Sequence, residues 1–365
     1  MEHYDLSEPN VICAEPKIVN IIKRSLKKLF GKHQFAATLT TLNILRYLRK
    51  IDPSVVHIHN IHHLTLNYAM LYRYLVKNRI GLAVTLHDMW PITGGCYHFS
   101  DIGCDGYLRE CINCPKPPEL LDCLPGATAS NYRFKKRCYE NLRVKFVAVS
   151  DWVYGELQKT YLKDFDVTVI KNPLNGVYGI KNKRDYFSSN SDLNRKKIIL
   201  GVSNYWTDDK GLEDFYKLSD MLENQYCIVL IGTPPLKPVK KPNLIFWGKV
   251  KSTEELCAAY NSADVFVHLS RAETFGMVIA EAAACGTVPI GYDTTGISEV
   301  VKLCGGVSVA PNNIEGVCSA VRNICTENTR ITAEQSDAVK HIFSAETMNK
   351  KYLEVYNDLF SGIDE

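Results

Sequence analysis

The sequence contains no run of about 18 uncharged apolar residues, the length at which a helix crosses a bilayer. Nor does its start, MEHYDLSEPN, show the basic-then-apolar pattern of a secretory leader, so a cytoplasmic location is expected. Charge of one sign is also scarce. The formal net charge is only +3, with 23% charged residues of both signs, and no basic stripe is interleaved with aromatics. That excludes nucleic acid as an expected partner. Internal repeats are absent, which excludes solenoid architectures. What remains is an ordinary globular composition: 365 residues, 46% hydrophobic, enough for two domains with full cores.

Short β-branched runs alternate with helix-length segments. VVHIHN (55–60), LAVTLH (82–87), KFVAVS (145–150) and VTVIKN (167–172) read as buried strands, with helical spacing in LTLNYAMLYRYLVKN and DWVYGELQKTYL between them. This pattern predicts an α/β domain with a parallel sheet over residues 1–181. A polar stretch over 182–196 breaks the periodicity and reads as a linker. The alternation then restarts with five further strands, KIILGVS, YCIVLIG, NLIFWG, DVFVHLS and VPIGY, giving a second doubly wound domain over 197–344. In such sheets ligands bind beyond the carboxyl ends of the strands, so a cleft between the domains is the expected site. The last segment, 345–365, places Met348, Tyr352, Val355, Tyr356 and Leu359 on one helical face and is expected to pack back on the N-terminal domain.

After DVFVHLS comes RAETFGMVIAEAAACG, a loop that runs into a helix at Gly276, with Glu273 before the junction and Glu281 beyond it. The first N–H groups of a helix lack internal partners and sit at the positive end of its dipole, which favours a phosphate. Glu281 would then lie beside the phosphate, placed to accept from the vicinal diol of a ribose, and Glu273 would reach hydroxyls at the other end of the ligand.

These residues, together with WTDDKGL, FWGKV, TTGISEVV, VVHIHNIHHL and TLHDMWPITGGC in that family's order and distances, resemble the retaining GT-B glycosyltransferases that carry an E-x7-E signature, the family-4 type found in bacterial surface-polysaccharide assembly. The likeness runs from about residue 35 to the C-terminus. It implies two Rossmann-like domains facing a cleft, the first lacking its opening strands and glycine-rich loop, since nothing in residues 1–35 resembles them. It also implies a UDP- or GDP-linked sugar donor and a glycan or lipid-linked acceptor, with no metal or other cofactor required for the chemistry. Carried over position by position, it assigns Glu281 to the ribose and Glu273 to donor-sugar hydroxyls. The backbone N–H groups of Phe275, Gly276, Met277 and Val278 meet the distal phosphate, and Lys210 neutralises the departing diphosphate. His87 faces the donor sugar, while Lys249 and Val250 meet the base. Catalytic roles thus fall to Lys210, Glu273 and His87. Where such enzymes place an arginine before the lysine, GVSNYWTDDKG offers Ser203, Asn204 and Trp206; Asn204 is taken as donor-binding, and either Lys210 stands alone or Arg271 assists.

Two further features stand outside that scheme. In 17–32, Ile18, Ile21, Ile22, Leu26, Leu29 and Phe30 share one helical face and lysines cover the other, which fits either an ordinary surface helix or one lying on an anionic membrane. In the second case the enzyme would be peripheral on the inner face of the membrane. Thirteen cysteines are many for a reducing compartment. Most stand singly in apolar surroundings, but Cys96, Cys104, Cys111 and Cys114 crowd into the segment 94–118, where a structural zinc and reduced thiols are the two readings. The expected function is transfer of a sugar to a surface glycan or glycolipid. The alternative is a sugar-nucleotide-binding protein of the same fold that has lost turnover.

Overall fold

The computed structural model describes residues 38–60, 66–117, 121, 126–181, 185–193 and 195–361. The amphipathic segment 17–32 lies outside them. Two parallel sheets organise the chain.

The first sheet has the order β1-β2-β3-β4, formed by Val55–Ile58, Gly81–Leu86, Val144–Ala148 and Asp166–Val169. Every pairing is parallel. Helices α1 (Thr38–Ile51), α2 (Tyr68–Lys77), α3 (Thr128–Glu140) and α4 (Asp151–Leu157) connect or flank these strands. All six residues of β2 are buried. That continuous apolar run is what a strand covered on both faces requires.

The second sheet has the order β10-β9-β8-β5-β6-β7, again all parallel. Its strands are β5 (Lys197–Tyr205), β6 (Tyr226–Thr233), β7 (Leu244–Gly248), β8 (Val265–His268), β9 (Pro289–Tyr292) and β10 (Val307–Val309). Between and after them run α5 (Leu212–Met221), α6 (Thr253–Ser262), α7 (Met277–Ala284), α8 (Thr295–Leu303), α9 (Ile314–Glu327) and α10 (Ala333–Ile342). Strand order reverses between β5 and β8. This is the topological switch point at which a crevice opens beyond the strand ends.

The structure corrects the sequence reading in two places. A sixth strand, β10, was not expected; its three residues are too few to carry a period. The polar stretch 182–196, expected as a linker, is no bare tether where it is described. Phe187 and Leu193 are buried, the Tyr186 hydroxyl donates to Glu255 at 2.7 Å, and the Trp247 indole N–H donates to the Tyr186 hydroxyl at 3.2 Å. Its aromatic residues anchor it to the second lobe.

Chain crossings hold the lobes together. Helix α11 (Ala345–Ser361) returns to the first sheet, where Tyr352, Val355 and Leu359 pack on Ala83, Val147 and Ile170, with Met348 and Tyr356 at the margin. The Leu174 N–H donates to the Phe343 carbonyl at 2.7 Å, joining the outgoing and returning segments of the chain.

Candidate active site

A cavity of about 520 Å³ lies between the lobes at the switch point. Its second-lobe wall is built from the ends of β5 and β8. Asn204 is the penultimate residue of β5, and beyond the strand the chain runs through Trp206 to Lys210, after which Gly211 adopts φ 76°. A Cβ there would stand 2.2 Å from the Leu269 carbonyl oxygen, so only glycine lets the lysine approach β8 this closely. His268 ends β8, and beyond it come Glu273 and Thr274 and then Gly276, whose φ of 94° caps α7. No acidic residue sits in the first turn of α7 and no side chain caps it. Phe275, Gly276, Met277 and Val278 all line the cavity, so the unpaired start of the helix faces open space.

At the centre, Lys210 Nζ and Glu273 Oε1 form an ion pair at 2.7 Å, and the Ser270 hydroxyl donates to the same oxygen at 3.1 Å. Burial works against the Glu273 charge, but Lys210 outweighs it and holds the carboxyl below the usual range. The carboxylate is therefore ionised at neutral pH. His268 Nε2 stands 3.9 Å from Glu273 Oε1 with no hydrogen-bond partner among the described residues. Burial pushes its pKa down to about 4, so the ring stays neutral.

From the first lobe, His87 and Asn172 complete the wall. His87 follows β2, and its Nε2 lies 2.8 Å from His59 Nδ1. Burial, with His59 adding to it, lowers the His87 pKa to about 4. One of these two nitrogens donates and the other accepts, and burial, which also lowers the His59 pKa, favours the neutral form of both rings.

Asn204, Lys210, Glu273, His87 and the start of α7 thus share one cavity. The remaining candidates lie elsewhere. Glu281 does not line the cavity; its Oε2 accepts from the Tyr260 hydroxyl at 2.9 Å, and Tyr178 bonds it as well. Burial raises its pKa. Lys249 and Val250 follow β7 outside the wall, although Lys249 Nζ sits 4.7 Å above the ring of Tyr205, which does line the cavity and is 61% exposed. Arg271 turns away to the Asp208 carbonyl, Asn312 and Asp214, leaving Lys210 without that helper.

The zinc reading of the cysteine cluster is also corrected. Among the described residues no group of three or more His, Cys, Asp or Glu side chains could hold a metal ion, and Cys96, Cys104, Cys111 and Cys114 are free thiols. Cys111 and Cys104 instead accept N–H bonds from Gly94 and Gly106. Burial lifts the Cys111 thiol to about 12 and raises Cys96. Among the cavity residues that motif reading missed are Tyr205, His268 and Thr274. Their only signal was position, each at or beyond the carboxyl end of β5 or β8.

Residues 196–327 match the family model described as Glycosyl transferases group 1. That match falls within the second lobe and spans just over a third of the chain. Across nearly its full length, 96% of this chain and 87% of the relative, the sequence is 23% identical to the putative colanic acid biosynthesis glycosyl transferase WcaC of Escherichia coli K12. Among solved structures, sucrose-phosphate synthase from Thermosynechococcus elongatus superposes with a TM-score of 0.66 at 17% identity, covering 91% of this chain and 80% of the other. Anabaena HepE in complex with UDP and glucose superposes with a TM-score of 0.64 at 16% identity, covering 92% and 83%. The fold is GT-B.

Proposed function

We propose that the protein is a retaining glycosyltransferase that uses a nucleotide-sugar donor in the assembly of a surface polysaccharide or glycolipid. The observation that carries this reading is the Lys210–Glu273 ion pair set against the open N-terminus of α7 in the cavity between the lobes. One cation and a set of N–H donors accept a diphosphate, while a fixed carboxylate accepts sugar hydroxyls. The UDP and glucose held by HepE and the polysaccharide context of WcaC support the same donor class and setting.

In this mechanism the bond between the anomeric carbon and the diphosphate oxygen breaks as the acceptor oxygen bonds to that carbon on the same face. The acceptor proton passes to the departing phosphate oxygen. Lys210, released from Glu273 on binding, and the N–H groups of α7 stabilise the charge that develops on the leaving group. His87, neutral and held by His59, hydrogen-bonds the sugar. Glu281 takes the ribose hydroxyls, exchanging one tyrosine bond for a diol. Lys249 flanks the base together with Tyr205. The chain would work in the cytoplasm at the inner face of the membrane, where a lipid-linked acceptor would meet it.

The deciding experiment is calorimetry with UDP, GDP and their hexose derivatives, followed by a turnover assay with whichever donor binds. Binding with release of nucleoside diphosphate supports the reading. Binding without turnover selects a sugar-nucleotide-binding protein of the same fold, and no binding at all rejects the site.

A further inference from the structure

The loop that carries Glu273 is gripped from both lobes. On its own side, the Glu273 N–H donates to Thr295 Oγ1 at 3.1 Å, and the Gly296 N–H donates to the Glu273 carbonyl at 3.0 Å, so the start of α8 holds the backbone from behind. On the other side two hydrogen bonds pass through the next residue. The Thr274 hydroxyl donates to the His87 carbonyl at 2.7 Å, and the Ser150 hydroxyl donates to the Thr274 carbonyl at 2.7 Å. Thr274 is 7% exposed and Ser150 fully buried, so neither bond competes with bulk water. The same helix, α8, straps the lobes a second time: Glu299 accepts from the Asp151 N–H at 2.7 Å, capping α4, and pairs with Lys171.

We propose that Thr274 is a positioning residue that assembles the sugar end of the cavity across the two lobes. It acts through its neighbours. A hydroxyl donated to one strand end and a carbonyl accepting from another fix both ends of a single residue, and with them the direction in which Glu273 leaves the loop. The same bond ties the end of β2 at His87 to that loop. Carboxylate and imidazole, which belong to different lobes, are thereby set at one separation. The diphosphate end needs no such tie, because Lys210 and the start of α7 are both second-lobe elements. The proposal rests on the nucleotide-sugar reading above and adds that hexose recognition, unlike diphosphate recognition, depends on the docked lobes.

The test uses the full chain and calorimetry with UDP, GDP, UDP-glucose, UDP-galactose and GDP-mannose, reading the gain in affinity that the hexose adds to its nucleoside diphosphate. Thr274→Val, which removes the donor at nearly constant volume, is expected to cut that gain about tenfold while shifting nucleoside diphosphate affinity less than about twofold. Thr274→Ser is expected to keep the gain. Ser150→Ala should lower it in part and add little on top of Thr274→Val, as members of one network do. If Thr274→Val does not fold, Ser150→Ala alone decides. A wild-type gain in the variants, or an equal loss for the bare nucleoside diphosphate, overturns the proposal. A wild-type chain that binds none of the probes overturns the nucleotide-sugar reading itself, and the proposal with it.

Discussion

At the cleft the second lobe presents Lys210, Glu273 and the start of α7, all at the carboxyl ends of β5 and β8, whereas the first presents His87 and Asn172 and reaches the signature loop through Ser150. The second lobe's contribution is charged, and at Lys210 and the start of α7 it is oriented by that lobe's own backbone. The first lobe's contribution is neutral: His87 and its partner His59 share one proton, and both have pKa values lowered chiefly by burial. A charge placed by one rigid lobe survives relative motion of the lobes. Neutral hydrogen bonds, short in range, act only once the lobes are docked. The comparison therefore separates binding, carried by the second lobe, from completion of the reactive geometry, which needs both.

The sharpest way to break that division is Lys210→Ala. If the lysine acts on the departing charge, turnover should fall by two to three orders of magnitude, about 3 to 4 kcal/mol, with a smaller loss of donor affinity. Equal losses in both would make it a simple binding contact, and the lobes would no longer differ in kind. Glu281→Ala comes next. As a ribose ligand freed from its tyrosines it should weaken nucleoside diphosphate binding by about tenfold, roughly 1.4 kcal/mol, measured by calorimetry. Unchanged affinity would mean that the carboxylate belongs to the Tyr178 and Tyr260 packing alone.

Much of this architecture is legible in the amino-acid sequence, and the reasons differ by element. Strands such as β2 and β6 are read from continuous β-branched runs because burial on both faces demands them. The pairing of Lys210 with Gly211, and of Glu273 with Gly276, is local chemistry at strand ends and so is visible in short motifs. What stays hidden depends on separations no motif spans. Thr274 meets His87 across 187 residues. Glu281 looks like a helix-face carboxylate until Tyr178 and Tyr260 are seen to close on it. The polar stretch 182–196 reads as a linker because its few aromatic residues give no period, yet Tyr186 and Phe187 suffice to fix it to Trp247.

Acid should expose the first lobe's reliance on neutral histidines. His57 bonds the Tyr356 hydroxyl at 2.7 Å and Thr85 at 2.8 Å beneath α11, and faces His59, His87 and Tyr352. Burial, helped by those two histidines, lowers its pKa to about 4. A histidine whose folded pKa is depressed stabilises fully above its unfolded value of about 6.5, and the stability drains away as pH falls from there toward 4. The melting temperature should therefore drop over that window. His57→Phe should flatten the drop while lowering the neutral-pH plateau, because it also gives up two hydrogen bonds. An identical acid profile in the variant would assign the sensitivity to the other histidines whose pKa burial lowers, His59, His87, His98 and His268.

The smallest effect is expected where charge meets the first lobe from outside. Lys145 pairs with Asp166 at 2.6 Å and with Asp358 of α11 at 2.7 Å, and both carboxylates are more than half exposed. Exposed pairs contribute about 0 to 1 kcal/mol, so Asp358→Ala should lower the unfolding free energy by less than about 1 kcal/mol, and by less at high salt than at low. Replacing Val355, buried at 3% exposure in the same helix face, by Ala removes apolar contact with the sheet and should cost more than the ion pair does. If the order of those two variants were reversed, α11 would be held to the first lobe by charge. The lobe's link to the returning chain would then follow the second lobe's electrostatic logic instead of its own.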